Sequence, residues 1–173
     1  MFHKLSKEEL FAVMKNLVHI YSSAWFKSQR IIIEKHGLND FFSQDFNELF
    51  RNFGANEAKK LVELSVVKGG DIDSIIKAFR LSHWALFENV DLKKLNDNVA
   101  RMRIIDCSRQ KYAIKKWGTY YPCKDLNFSR ESRVGFVKAI NPKAEVKCNF
   151  CPPDPRPPEI PKNVSCEWII TAY

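Results

Sequence analysis

Hydrophobic periodicity changes character once along this 173-residue chain, and that change most restricts how it can fold. Up to about residue 82, apolar side chains recur at three- and four-residue spacing, as amphipathic helices require. Beyond it they alternate with polar ones, as half-buried strands require. The chain is therefore predicted to be α+β. A single domain over 1–173 is expected, with an N-terminal helical layer (1–82) packed on a small mixed β-sheet in a cysteine-containing α/β part (83–173).

The helical part is marked by its caps. Ser6 followed by Glu9 is a capping box, and the helix it opens should run to about His36, with Gly37 as its stop. One apolar stripe on this helix is Leu10, Met14, Leu17, Tyr21, Ala24 and Ile31; a second is Phe11, Val18, Trp25 and Ile32. A surface helix needs only one stripe. The second is predicted to meet either the rest of the fold or a second copy in a homodimer. Ser43, Asn56 and Asp71 are read as caps of three shorter helices, the second of them ending before Gly69-Gly70.

Trp84, Leu86, Glu88 and Val90 alternate with their neighbours as in a first strand, and Ala100, Met102 and Ile104 as in a second. A helix over 107–117 ending at Gly118 follows, then one from about Ser129 to Ile140 before Pro142. Residues 144–150 and 165–173 read as the last two strands. Six of the eight prolines lie between them, which predicts a stiff, extended connector.

No stretch approaches the roughly 18 apolar residues of a membrane span, and the first residues, MFHKLSKEEL, lack a signal-peptide apolar run. These features predict a cytoplasmic protein with no membrane, where thiols stay reduced. The window 101–147 holds 12 basic and 4 acidic residues, which equals the whole net charge of +8. Gathered on one side, it would draw an anionic partner. The run from Gln110 to Tyr121 mixes lysines with aromatics, as in single-stranded nucleic-acid binding, but carries no RNA-binding motif; an amphipathic helix explains it as well.

The five cysteines, Cys107, Cys123, Cys148, Cys151 and Cys166, all follow residue 100. If the second and third strands pair in parallel and the fourth returns antiparallel, four of them reach one sheet edge. Cys123 can fold back from the loop after the 107–117 helix. Cys148-Asn149-Phe150-Cys151 is a CxxC pair, whose spacing lets two sulfurs hold one ion. Thiolates suit zinc or an iron–sulfur cluster, and sequence does not separate the two. Two other readings stand beside a metal site. Cysteines are also common as small buried hydrophobes. Cys107, at a helix start near Arg109 and Lys111, has the setting of an activated thiol, with His83 as the one histidine placed to serve as its base.

Cys107 with Gln110, Gly118 with Pro122-Cys123, Asn141-Pro142, Cys148, and a final Cys166-x-Trp168 strand form a pattern. It resembles a family of small bacterial and archaeal cytosolic proteins similar to L-2-amino-thiazoline-4-carboxylic acid hydrolase. More distantly it resembles 4-vinyl reductase-like small-molecule-binding domains. The resemblance implies an α+β fold with recurring cysteines at 107, 123, 148 and 166, Cys151 being extra, and an anionic, sulfur-containing small molecule. It assigns no catalytic residue.

The resulting expectation is a small-molecule-binding or hydrolytic protein with a cysteine-ligated metal. Cys107, Cys123, Cys148 and Cys166 are the predicted ligands with Cys151 in reserve, and Arg101, Arg103 or Arg109 would hold a substrate carboxylate. The alternative is a non-enzymatic, metal-stabilised sensor or binding module.

Overall fold

The computed structural model describes residues 6–36, 44–121, 123 and 128–173. The chain divides into two compact units, Met1–Phe41 and Phe42–Tyr173. The first contains helix α1, Lys7–His36. Its start is the predicted capping box: the Ser6 amide donates to Glu9 Oε2 at 2.8 Å and the Glu9 amide to Ser6 Oγ at 3.1 Å. Phe11 and Trp25 of the second stripe are exposed, Val18 and Ile32 half-buried, and Leu10, Met14, Leu17, Tyr21 and Ile31 of the first are exposed. Gly37, the expected stop, lies outside the described residues. Among the described residues no helix is long and apolar enough to cross a membrane.

The second unit holds α2 (Gln44–Glu63), α3 (Ile72–Leu81), α4 (His83–Phe87), β1 (Asn89–Asn96), β2 (Val99–Ile105), α5 (Ser108–Trp117), α6 (Phe128–Ile140), β3 (Glu145–Phe150) and β4 (Val164–Thr171). It is α+β, with most helical residues before the sheet. Helix α2 runs through Gly54 and Asn56 without a break, so Asn56 caps nothing, and it ends at Glu63 rather than at Gly69-Gly70; Ser43 lies outside the described residues. The reason is a tertiary contact. Gly54 faces α6 so closely that a Cβ there would stand 1.9 Å from the Ser132 carbonyl oxygen. Gly135 returns the approach, its Cβ position lying 1.9 Å from the Arg51 carbonyl oxygen. Arg51 and Glu131 bridge the same crossing at 2.5 Å.

Helix α3 starts as predicted, with Asp71 Oδ1 accepting from the Ser74 amide at 2.8 Å. The Ser74 side chain first, and its amide second, lower the Asp71 pKa by hydrogen bonding. The apolar side of α3, with Ile72, Ile75, Ile76 and Phe79, is buried. The expected strand at 84–90 is instead the short helix α4 followed by β1. Trp84 is drawn into the core, its ring centroid 5.7 Å from Phe79 and 5.3 Å from Phe136, and the Glu88 amide closes a turn on the Trp84 carbonyl. Packing of one large side chain overrides an alternating pattern that is only a weak local preference.

The sheet order is β1-β2-β4-β3, antiparallel at every pairing. It is therefore not mixed, and β2 does not pair with β3, because β4 lies between them. Both are antiparallel to β4, so they run in the same direction. The ends of β2 and β3 and the start of β4 consequently share an edge, which is the juxtaposition needed to gather the cysteines. One sheet face, with Ala100, Met102, Trp168 and Ile170, packs with Ile75, Phe79, Phe136 and Val137 in the core. The other bears charge: Arg103 Nε meets Glu167 at 2.5 Å and Arg101 Nη2 meets Asp91 at 3.5 Å.

Helices α5 and α6 match their predicted spans. Gly118 ends α5 with φ of 69°, the left-handed conformation that favours glycine. The proline-rich connector is not extended. It folds into turns, places Ile160 against Phe150 and Val164, and is held by Arg156 donating to the carbonyls of Pro161 and Val164. Burial of Ile160 and these carbonyl bonds outweigh the polyproline preference. Pro152–Pro153 is a cis peptide bond.

Candidate thiol and arginine site

Beside the shared sheet edge, Cys107, Cys123, Cys151 and Cys166 line one small cavity. Cys148, opposite Trp168 in the β3–β4 register, and Cys166, opposite Ile104 in the β2–β4 register, pack on the core face of the sheet. Cys151 follows β3 directly. Cys123, Cys148 and Cys166 push its pKa up. Cys151, which the resemblance treats as extra, lines one small cavity with Cys123 and Cys166. Cys107 is the helix cap of α5 and stands on the wall of the same cavity.

Cys123 joins the group because Gln110 holds its loop. The buried Gln110 amide accepts from the Tyr121 amide at 3.0 Å and donates to the Tyr121 carbonyl at 2.8 Å. Its Nε2 also donates to Cys123 Sγ at 3.2 Å. Trp168 Nε1 donates to Cys166 Sγ at 3.3 Å. Two of the sulfurs therefore each receive an N–H from a buried side chain.

A buried charge cluster adjoins the sulfurs. Arg109 pairs with Glu88, and the Arg133 Nη2 lies 3.8 Å from the same carboxylate. Arg133 is sandwiched between aromatic rings, 5.5 Å from the Trp84 centroid and 4.8 Å from that of Trp168. Burial opposes the Arg109 charge, but Glu88, Cys107 and Cys123 outweigh it, and its pKa rises.

The thiols respond unequally. The hydrogen bond from Cys151 is the largest influence drawing the Cys123 pKa down; Arg109 and Gln110 assist, against burial. Cys148 is likewise drawn down, by Cys151 first and then by Arg133. Cys151 itself is driven far up by Cys123, Cys148 and Cys166. Cys107 does not behave as an activated thiol. Burial pushes it up to about 11 and outweighs Arg109. Lys111, the other cation expected to activate it, pairs with exposed Asp106 at 3.2 Å. His83 is engaged elsewhere, its Nδ1 2.6 Å from Glu57 Oε2.

The cavity between these groups is about 20 Å³, walled by Cys107, Cys123, Cys151, Cys166, Arg109 and Arg133 among others. That is room for one water-sized atom and far below a ligand pocket of roughly 300 Å³. A wider open groove of about 600 Å³, with Asp71, Asn98, Asn141 and Lys143, has no cysteine in its lining. Of the three predicted anion-holding arginines, only Arg109 reaches the thiols. Arg101 and Arg103 alternate with buried Ala100, Met102 and Ile104 and so face the opposite side of the sheet. The basic window does not form one surface: Arg109 and Arg133 are buried, Arg101 and Arg103 lie across the sheet, and Lys111, Lys115 and Lys116 are exposed on α5. Glu88 and Arg133 gave no signal in sequence, since a buried charge and a solvated one have the same letter.

Among the described residues, no three His, Cys, Asp or Glu side chains are disposed to hold one metal ion as they stand. The donor chemistry of the group fits a soft metal.

Fold and site together define an α+β protein with a group of buried and half-buried thiols beside two buried arginines. The chain belongs to the family of unknown function DUF6125, whose model matches residues 3–172. No curated protein and no solved structure matches it.

Proposed function

We propose that the protein is a metal–thiolate protein, with Cys123, Cys148, Cys151 and Cys166 as ligands of one zinc ion or iron–sulfur cluster. The observation that carries this reading is that Cys123, Cys151 and Cys166 line one small cavity, with Gln110 and Trp168 donating N–H bonds to two of the sulfurs. Cys107 shares that cavity wall but is the helix cap of α5, and the reading leaves it outside the ligand set. Bound there, a metal would supply either fold-stabilising cross-linking or, with a position left open, Lewis-acid activation of water. The small cavity favours the non-catalytic role, a metal-stabilised sensor or binding module. Hydrolysis of an anionic, sulfur-containing small molecule, which the hydrolase resemblance implies, needs the cavity to open, and Arg109 and Arg133 are the cations that would then meet the substrate.

Protein purified without oxygen is expected to carry about one zinc per chain, or to show the visible absorption of an iron–sulfur cluster. Cys151→Ala and Cys166→Ala should lose most of it and Cys107→Ser should keep it. Metal-free, colourless wild-type protein would overturn the reading, as would full occupancy in Cys151→Ala. Turnover of a thiazoline carboxylate would establish the hydrolytic role over the binding one.

The two apolar stripes of α1 support a homodimer through that helix. Light scattering at micromolar concentration should give about twice the 20.2 kDa chain mass, and Phe11→Asp with Trp25→Asp should return it to one chain. A wild-type mass that stays at one chain across the concentration range refutes the dimer.

A further inference from the structure

Helix α5 turns most of its surface to solvent. Its buried residues are Arg109, Gln110 and Ala113, so it is fastened along one narrow side. The aromatic residues do not supply that fastening. Tyr112 is 43 % exposed and Tyr120, just past the helix, 50 %. Trp117 is half-buried, stacked on Tyr121 at 5.9 Å and nearly perpendicular to Tyr112 at 6.2 Å. Lys111, Lys115 and Lys116 are exposed on the same helix. Lys115 lies one turn beyond Lys111, and Lys116 one turn beyond Tyr112. Residues 107–123 contain no acidic side chain, and Asp106, just before them, pairs with Lys111.

We propose that the outer face of α5 binds single-stranded nucleic acid. Tyr112 and Tyr120 are the stacking platforms, and Lys111, Lys115 and Lys116 meet the phosphates. The helix dipole accounts for lysines in a last turn, but not for solvated rings interleaved with them. Rings and cations together match a polyanion whose bases are unpaired, since every base has a face to stack. A duplex hides those faces. A membrane surface calls for a broad apolar helix face, and Ile114 is the one exposed aliphatic side chain of α5. The inference does not rest on the metal reading, because no thiol belongs to this surface.

The test is fluorescence anisotropy with full-length protein and labelled oligouridylate or oligothymidylate of about 12 nucleotides, within the span of small single-strand sites. Both should bind, and the affinity should fall roughly 20-fold between about 50 and 200 mM salt, as for about three released counterions. The same strand annealed to its complement should bind at least about tenfold more weakly. Tyr112→Ala with Tyr120→Ala should weaken single-strand binding by about 30-fold or more. Lys115→Gln with Lys116→Gln should cut the salt slope to roughly a third. Thermal melts of both variants check that these exposed changes leave the fold intact. No binding at the lower salt, equal binding of duplex and single strand, or unchanged binding in both variants would overturn the proposal. So would uptake by anionic vesicles without oligonucleotide binding, which assigns the face to a membrane surface. Metal content is read on the same preparation. Wild-type protein that is metal-free yet binds the oligonucleotide sustains this inference and sinks the metal reading; metal-loaded protein that binds none does the reverse.

Discussion

Gly135→Ala is expected to destabilise the protein by about 3 kcal/mol or more, at the upper end of the cost of overpacking. Local reasoning predicts the opposite sign: alanine in a helix interior is favoured over glycine by roughly 0.5–1 kcal/mol. The contact decides. The new Cβ would lie 1.9 Å from the Arg51 carbonyl oxygen and 2.8 Å from its carbon, and backbone atoms have no rotamer to yield. Helices α2 and α6 must separate, which also strains the Arg51–Glu131 ion pair across the crossing. Gly54→Ala meets the same obstacle at Ser132 and should cost a similar amount. Combined, the two should cost less than their sum, because one separation relieves both clashes. Gly118→Ala is the control: nothing lies within 4 Å of its Cβ position, so only the left-handed backbone is penalised, by roughly 1–2 kcal/mol. Urea titrations with unchanged slope measure all four. A Gly135→Ala protein as stable as wild type would show that the two helices do not touch in solution.

Glu88→Gln should cost about 3–5 kcal/mol, the range for removing one member of a buried ion pair. Glu88 is the carboxylate that buried Arg109 and Arg133 both face. The substitution keeps shape and removes the charge. For a protein of this size the loss corresponds to a fall in Tm of roughly 6–20 °C. Replacing Glu88 and Arg109 together by leucine and methionine should recover only part of it, since apolar groups can match the buried pair but buried Arg133 still loses the carboxylate it faces. A Glu88→Gln melt within about 2 °C of wild type would remove the charge cluster from the stability of the fold.

What could be read from the chain alone are the features settled within one or two turns of backbone. The Ser6–Glu9 box, the Asp71 cap on Ser74 and the glycine stop at Gly118 each involve groups no more than four residues apart, and each is found where expected. The helix-then-sheet division and the shared edge that gathers the cysteines were legible as well, because strand direction follows from connection type. Tertiary structure decided the rest. Whether the chain breaks at Asn56 or runs on as one helix through Gly54 depends on the close approach of Gly54 to Ser132, seventy-eight residues away, and whether Trp84 begins a strand depends on Phe136. The order β1-β2-β4-β3 depends on which side of β2 the last strand joins, and no local signal encodes that. The same holds inside the site. Arg101, Arg103 and Arg109 look alike in sequence; strand alternation turns two of them away from the thiols, and burial beside Glu88 points the third at them. Cys107, Cys123, Cys151 and Cys166 share one cavity although they lie on separate segments of the chain. Spacing along a chain cannot state such a position, since it is a property of several segments at once.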